Sequence, residues 1–154
     1  MSSESHASRF ASALAAFLIL PGMIAFVVPL LWIRPEGSPF LWRGAPVVAI
    51  GAALLFWCIR DFYVTGKGTL APWAPPKRLV IVGLYRFSRN PMYLAVLTIL
   101  LGWTLAFDSR SLALYTVVVA ILFHFRVIIN EEPFLARTHG DEWIAYRGAV
   151  RRWL

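Results

Sequence analysis

The fold of this chain is decided by two neighbouring apolar runs, MYLAVLTILLGWTLAF at Met92–Phe107 and LALYTVVVAILFHFRVII at Leu112–Ile129. A transmembrane helix needs about 20 largely apolar residues, and both runs approach that length. The residues between them, Asp108 to Ser111, are typical of a turn, and Ser111 can cap the helix that follows. The pattern therefore predicts a tight helical hairpin.

Two more apolar runs precede the hairpin, at Phe10–Ile33 and Pro46–Val64. Of the 154 residues, 59% are hydrophobic and 15% are charged, whereas a soluble domain has about 45–50% and about 25%. This composition excludes a disordered chain and leaves too few polar residues for a water-soluble surface. We therefore predict an all-α, polytopic membrane protein with about four transmembrane helices, forming a single domain over residues 1–154.

Lysine and arginine are distributed unevenly between the loops that four crossings would create. One side carries ten of them together with both chain termini, and the other carries only Arg34, Arg43 and Arg110. Since basic loops stay in the cytoplasm, the basic side is expected to be cytoplasmic and the membrane to be the plasma membrane. The net charge of +7 then indicates contact with anionic lipid rather than with nucleic acid.

The single cysteine, Cys58, excludes an intrachain disulfide framework and a cysteine-based zinc site. The three histidines have no carboxylate at ligand spacing, so no metal is expected. His124 and Arg126 lie within the last apolar run, where ionisable residues usually face the bundle interior or a wet cavity. Alternatively, His124 is a hydrogen-bonded structural residue, and Arg126 extends its side chain to the membrane surface.

The segment Thr65–Pro91 is rich in polar and basic residues and follows the second apolar run. Gly66-Lys67-Gly68 is either a place where the backbone approaches a ligand or a glycine stop of the preceding helix. Asn90 and Pro91 are a typical helix start, with Asn90 as the cap. Arg86 and Arg89 are candidates for contact with lipid phosphate.

The tail Asn130–Leu154 begins with Glu131 and Glu132 directly after the last apolar run. Acidic residues at a helix C-terminus oppose the helix dipole, so we expect a nearby arginine or a cationic ligand to compensate them. From Glu142 onward the spacing of apolar residues predicts an amphipathic helix lying on the bilayer, with arginines directed toward the headgroups. Its apolar face would contain Trp143, Tyr146, Val150 and Trp153, and its basic face Arg147, Arg151 and Arg152.

Two blocks of this sequence, KRLVIVGLYRFSRNPMY at 77–93 and NEEPFLARTHGDEWIAYRGAVRRW at 130–153, resemble the isoprenylcysteine carboxyl methyltransferase family. That family shows Leu-Val, Gly-x-Tyr, Arg-His/Asn-Pro-x-Tyr, Glu-Glu, and then Gly-Asp/Glu-Glu-aromatic-x-x-Tyr. The resemblance covers about residues 65–153 and extends more distantly to phospholipid N-methyltransferases, which pair Gly-x-Gly with Glu-Glu. The chain has Asn90 where the family usually has His, and Val127, beside Arg126, where the eukaryotic enzymes have a substrate-contacting Arg.

The resemblance implies a membrane enzyme that binds S-adenosylmethionine at the cytoplasmic face and methylates a lipophilic acceptor from the bilayer. The physical chemistry of the residues agrees, because Glu131 can hold a cationic or hydroxyl group and the tyrosines can flank a purine. Arg126 would orient a carboxylate acceptor, and Glu132 is the candidate base for an amine acceptor. The cofactor contacts implied by the resemblance are Lys77, Arg78, Leu79, Val80, Tyr85, Asn90, Pro91, Met92, Tyr93 and Glu131.

Two other functions are consistent with the sequence. A nicotinamide-dependent reductase of membrane lipids or sterols would use Arg86 and Arg89 for a 2′-phosphate. A non-enzymatic membrane scaffold would bind anionic lipid through its basic loops and would not need Glu131 and Glu132. Methyl transfer is the hypothesis that uses both the paired acids and the basic segment Thr65–Pro91, which we call the connector.

Overall fold

The computed structural model describes residues 21–32, 41–66 and 79–154, and these residues form helices and irregular connections without a strand. A π-helical turn, Met23–Val27, leads into α1 (Val28–Trp32), and α2 covers Leu41–Gly66. After a 3₁₀ turn at Gly83–Arg86 come α3 (Pro91–Phe107) and α4 (Arg110–Arg126). A second π-helical turn, Val127–Glu131, joins α4 to α5 (Glu132–Ala149). The predicted all-α architecture is thus confirmed for the described residues.

Two of these helical runs are long and apolar enough to cross a membrane, namely Leu41–Phe62 and the continuous run Arg110–Ala149. The second run is 40 residues long, about twice what a bilayer requires, and its apolar part is the predicted span Leu112–Ile129. Helix α3 is apolar but shorter. Half of the first predicted span, Phe10–Ile33, lies outside the described residues. Four crossings and cytoplasmic termini therefore stay predictions.

Helices α3 and α4 form the predicted helical hairpin. Only Asp108 and Ser109 separate them, and Asp108 ends α3 in the left-handed conformation, with φ 45°. The cap of α4 differs from the prediction: Ser109, not Ser111, accepts a hydrogen bond from the Leu112 backbone N–H, at 3.4 Å. The helix therefore begins at Arg110, two residues earlier than a Ser111 cap predicts, and the Ser111 and Ser109 hydroxyls bond each other at 2.8 Å.

Helices α2 and α3 approach so closely that their backbones are in contact. A Cβ atom added at Gly51 would lie 2.8 Å from the Ile99 backbone nitrogen, and one at Gly102 would lie 2.7 Å from the Val48 nitrogen. Without a hydrophobic force between helices in lipid, such close packing of small residues is a main source of helix association. This contact fixes the start of α3 against the C-terminal half of α2.

The π-helical turn Met23–Val27 lies between the prolines of the first predicted span, and two side chains of the hairpin bind its carbonyl groups. The Trp103 indole N–H donates to the Ala25 carbonyl at 2.9 Å, and the Tyr115 hydroxyl donates to the Ile24 carbonyl at 3.3 Å. In an apolar environment, backbone groups at a helix irregularity need such side-chain partners.

The tail of the chain departs from the predicted bilayer-lying helix. Gly140, with φ 50°, interrupts α5, and the helix ends at Ala149. Trp143 and Tyr146 are buried against Leu79, so this apolar face packs on the connector rather than on lipid. The predicted lipid-facing role of Trp143 and Tyr146 is therefore wrong, because amphipathic spacing reveals an apolar face but not the surface that covers it.

Replacing Gly51 by Ala should destabilise the protein by about 1–3 kcal/mol, because the added methyl group meets the Ile99 backbone and neither helix can move freely. Gly148→Ala is the matched control, since a Cβ at Gly148 meets nothing within 4 Å. Thermal unfolding of both variants in the same detergent measures the difference. Equal melting temperatures for the two variants would contradict the close α2–α3 contact.

Candidate functional site

Three predicted site residues, Tyr93, Arg126 and Glu131, meet in one hydrogen-bonded cluster. The Tyr93 hydroxyl donates to Glu131 Oε1, and the Arg126 Nε–H donates both to Glu131 Oε1 and to Tyr93 Oη, each at 3.1 Å. The Tyr93 ring packs on Phe123 with the ring centroids 4.4 Å apart. The cluster joins the first turn of α3 to the junction of α4 and α5.

The π-helical turn Val127–Glu131 is the reason that Arg126 reaches Glu131. In a regular α-helix, side chains three or four residues apart share a face. A π turn closes residue i onto i+5, which brings two residues five apart onto the same side. Arg126 therefore does not simply extend to the membrane surface, because its guanidinium is held by Glu131 and Tyr93.

Glu132 occupies a second cluster with two arginines. Arg152 donates to both carboxylate oxygens, from Nε at 2.7 Å and from Nη2 at 3.0 Å, and Arg89 Nη1 lies 3.1 Å from Oε1. Arg89 is buried and its guanidinium lies over the Trp143 ring, 5.4 Å from the centroid. The expectation that arginine compensates the paired acids is confirmed, although the acids lie in a continuous helical run rather than at a helix end.

The charges of this second cluster follow from its contacts. Burial raises the pKa of Glu132, but the hydrogen bonds from Arg152 and the charge of Arg89 outweigh that effect and hold the pKa below its usual value. The Glu132 hydrogen bond raises the pKa of Arg152, whereas burial lowers the pKa of Arg89. All three groups are therefore ionised at neutral pH, with one negative charge between two positive ones.

The connector residues lie around these clusters. Leu79 packs against Trp143 and Tyr146, while Val80 and Tyr85 pack against Cys58 of α2. The Tyr85 carbonyl accepts a hydrogen bond from the Tyr146 hydroxyl at 2.7 Å, and burial raises the pKa of Tyr85 well above its usual value. The predicted cofactor residues Lys77 and Arg78 lie outside the described residues, as do Lys67 and Gly68, whereas α2 does end at Gly66.

Asn90 and Pro91 begin α3 as predicted, but Asn90 does not cap the helix with its side chain. Its Nδ2 instead donates to the Arg152 carbonyl at 3.0 Å, and its backbone N–H donates to Ser88 Oγ at 3.2 Å. Pro91 is buried, and Met92 packs between the main core and the cluster around Cys58. Asn90 is thus tied to the tail of the chain.

An apolar groove lies beside the Tyr93 cluster, along the outer face of α4. Its volume is about 480 Å³, and Ile24, Tyr115 and Phe123 contribute to its walls. Arg126 and Asn130 also line it, so this groove combines apolar walls with two polar side chains. The other lining residues are Val119, Leu122, Phe125 and Ile129.

Sequence reasoning missed the partners from the end of the chain. Arg152 was assigned to the lipid headgroups because three arginines follow Tyr146 in sequence, and nothing in that spacing distinguishes one from another. Trp153 was assigned to the bilayer, whereas its indole N–H donates to His124 Nδ1 at 3.2 Å. His124 is thus a hydrogen-bonded residue, which was the simpler of its two interpretations. Among the described residues, no group of His, Cys, Asp or Glu side chains is arranged to hold a metal ion.

Comparison with known protein families identifies the family of this chain. A sequence model described as phospholipid methyltransferase matches residues 40–142, about two thirds of the chain, and includes both acids and the start of α3. The chain belongs to the phospholipid methyltransferase family. This family includes the isoprenylcysteine carboxyl methyltransferase-like membrane enzymes, so the resemblance seen in the sequence is confirmed. Membership implies membrane methyltransferase activity on lipid-like substrates.

A protein from Haemophilus influenzae that is similar to this chain is described only as uncharacterized. It is 38% identical over 63 residues, which are 41% of this chain and 100% of that protein. No solved structure matches the chain significantly.

Replacing Glu132 by Gln should destabilise the protein at neutral pH by about 2 kcal/mol, because two arginines lose a charged partner. The folded-state pKa of Glu132 is lowered, so its contribution is present above its unfolded value near 4.5 and is lost as the pH falls through the lower folded value. The stability difference between wild type and variant should therefore shrink in acid, as thermal unfolding from pH 7 to pH 3 would measure.

Glu142→Gln is the control for this titration, because Glu142 is largely exposed. Its melting temperature should follow the wild type at every pH. A Glu132→Gln deficit that persists unchanged at pH 3 would contradict the ion-pair interpretation.

Proposed function

We propose that this chain transfers a methyl group from S-adenosylmethionine to a lipophilic acceptor held in the apolar groove beside Arg126. The observation that carries the proposal is the Tyr93–Glu131–Arg126 cluster, which joins the family-like start of α3 to the groove. S-Adenosylmethionine supplies an electrophilic methyl group on a positively charged sulfur, together with an ammonium, a carboxylate and two ribose hydroxyls.

The residues present fit such a cofactor. Both hydrogen bonds to Glu131 use Oε1, and the described part of the chain offers Oε2 no hydrogen-bond partner. Glu131 is only half-buried, so Oε2 is available to a hydroxyl or cationic group. In sequence the connector is basic at Lys77, Arg78 and Arg86, and basic residues suit the carboxylate of the cofactor. Tyr93 links this position to the groove, because it bonds Glu131 and its ring packs on Phe123, which lines the groove.

The groove supports a lipophilic acceptor. Its apolar lining can hold a hydrocarbon chain and exclude water, which strengthens electrostatic interactions at the reacting atoms. Arg126, which lines the groove and contacts Tyr93, can orient an anionic acceptor group such as a carboxylate. A carboxylate is already nucleophilic, so the protein needs to supply position rather than a base.

Glu132 is better suited to a positioning role than to the base predicted from the sequence. Two arginines hold it, and a carboxylate with a lowered pKa is a weak proton acceptor. The reductase hypothesis is likewise less well supported, because Arg89 is engaged by Glu132 and Trp143 instead of being open to a 2′-phosphate. The family match argues against a pure scaffold.

Purified protein in nanodiscs should bind S-adenosylmethionine, and Glu131→Gln should weaken that binding about tenfold, as expected for loss of one charge-assisted contact. Isothermal titration calorimetry measures both affinities. Glu142→Gln, the same change at a largely exposed acid, should leave the affinity within about twofold of wild type. Failure of the wild-type protein to bind the cofactor would refute the proposed function.

Incubating the protein with lipid extract and cofactor labelled in its methyl group should place the label on a lipophilic product. Arg126→Gln should raise the acceptor KM, because the groove loses its positive charge. For an anionic acceptor, the loss of one ionic hydrogen bond should raise this KM about tenfold. Arg110→Gln, at the opposite end of α4, is the control. A product found only in the aqueous phase would contradict the assignment of the groove.

A further inference from the structure

The last five residues of the chain form a segment that returns to the proposed site, and we call residues 150–154 the C-terminal strap. Helix α5 ends at Ala149, and Val150 turns into an extended conformation with φ −123° and ψ 135°. Val150 packs beside Trp143 and Tyr146. This redirects the chain toward the start of α3 instead of continuing the helix. The family match ends at residue 142, so the strap lies beyond it.

The backbone of the strap binds the residues just before α3. The Arg151 carbonyl accepts a hydrogen bond from the Arg89 backbone N–H at 2.9 Å. The Arg152 carbonyl accepts from Asn90 Nδ2 at 3.0 Å and from Ser88 Oγ at 3.3 Å. These three bonds join parts of the chain that are more than 60 residues apart in sequence.

The side chains of the strap bind two other parts of the site. Arg152 holds Glu132 with two hydrogen bonds, at 2.7 and 3.0 Å, and Glu132 adjoins Glu131. Trp153 donates to His124 and its ring stacks on the histidine at 6.1 Å with an interplanar angle of 27°. The strap therefore binds three parts of the chain, namely the connector, the end of α4 and the start of α5.

The contact with Asn90 has a chemical consequence. A carbonyl can only accept, so it selects the orientation in which the Asn90 NH₂ group faces the strap. The Asn90 Oδ1 atom then faces away, and within the described residues it makes no hydrogen bond. A freely rotating amide would present a donor and an acceptor equally, whereas this one presents an acceptor, which suits an ammonium or a hydroxyl group.

We propose that the C-terminal strap is a positioning element of the methyl-donor site, with Arg152 as its main positioning residue. The Arg152 carbonyl orients the Asn90 amide so that its oxygen is left free to accept a hydrogen bond. The Arg152 guanidinium binds Glu132 and thereby fixes the backbone of the neighbouring Glu131. This inference rests on the proposed function and adds a part of the chain outside the family match to the site.

The experiment compares Arg152→Ala with Arg151→Ala. The two arginines are neighbours, but the Arg151 side chain is exposed and only its backbone carbonyl is used. Each variant is purified in nanodiscs, and S-adenosylmethionine binding is measured by calorimetry, giving both the dissociation constant and the number of sites. Arg152→Ala should raise the dissociation constant about tenfold with the number of sites unchanged, and Arg151→Ala should match wild type. Arg152→Lys, which keeps the charge but not the two-pronged contact, should be intermediate.

A purely structural role predicts a different result. In that case Arg152→Ala lowers the melting temperature and the number of sites, while the folded fraction binds with wild-type affinity, and this outcome overturns the proposal. If Arg152→Ala does not fold, Arg152→Lys is tested instead. A raised dissociation constant for Arg152→Lys supports the proposal, and a wild-type value overturns it. Failure of the proposed function itself gives a third result, because the wild-type protein and Arg151→Ala then also fail to bind S-adenosylmethionine.

Discussion

Two adjacent carboxylates at the edge of an apolar helix bundle need positive charge beside them, and this requirement sets the arrangement of the site. Removing a carboxylate from water is costly unless it is paired and hydrogen-bonded. Glu131 finds Arg126 and Tyr93, and Glu132 finds Arg152 and Arg89. Since neighbouring residues on a helix point in different directions, the two acids bind two separate sets of partners.

The π-helical turn before Glu132 separates these two sets. It turns Glu131 toward Arg126 and the groove, while Glu132 faces the connector and the tail. Isolated π turns within helices occur frequently at functional sites, because the distorted register moves one side chain out of the regular pattern. Here it places an acid that is available to a ligand next to an acid that is fully engaged in holding the protein together.

The packing of α2 against α3 also holds part of this site in place. Glycines bring the backbones of α2 and α3 into contact, and the buried face of α3 at Ala95, Val96 and Ile99 fills the core. This contact leaves little freedom for the first turn of α3, which carries Tyr93. A rigid helix pair thus presents Tyr93 to the acids from one side, and the connector and strap close the other side.

Much of this protein was determined by its sequence alone. The apolar runs predicted the helices and the hairpin. The two family-like blocks at 77–93 and 130–153 predicted the family, and they named Tyr93 and Glu131, which bond each other in the structure, as site residues. These features depend on local composition and short spacings, because helix formation and lipid solubility are properties of neighbouring residues.

Only the tertiary structure decided which charges meet. Arg147, Arg151 and Arg152 are alike in sequence, yet only Arg152 donates to both oxygens of Glu132, because the chain leaves the helix at Val150 and turns back. Similarly, Trp143 and Trp153 show the spacing of a lipid-facing surface, but Leu79 covers one and His124 binds the other. A hydrogen bond between residues 60 positions apart depends on how helices pack, and a spacing rule that compares neighbours contains no information about it.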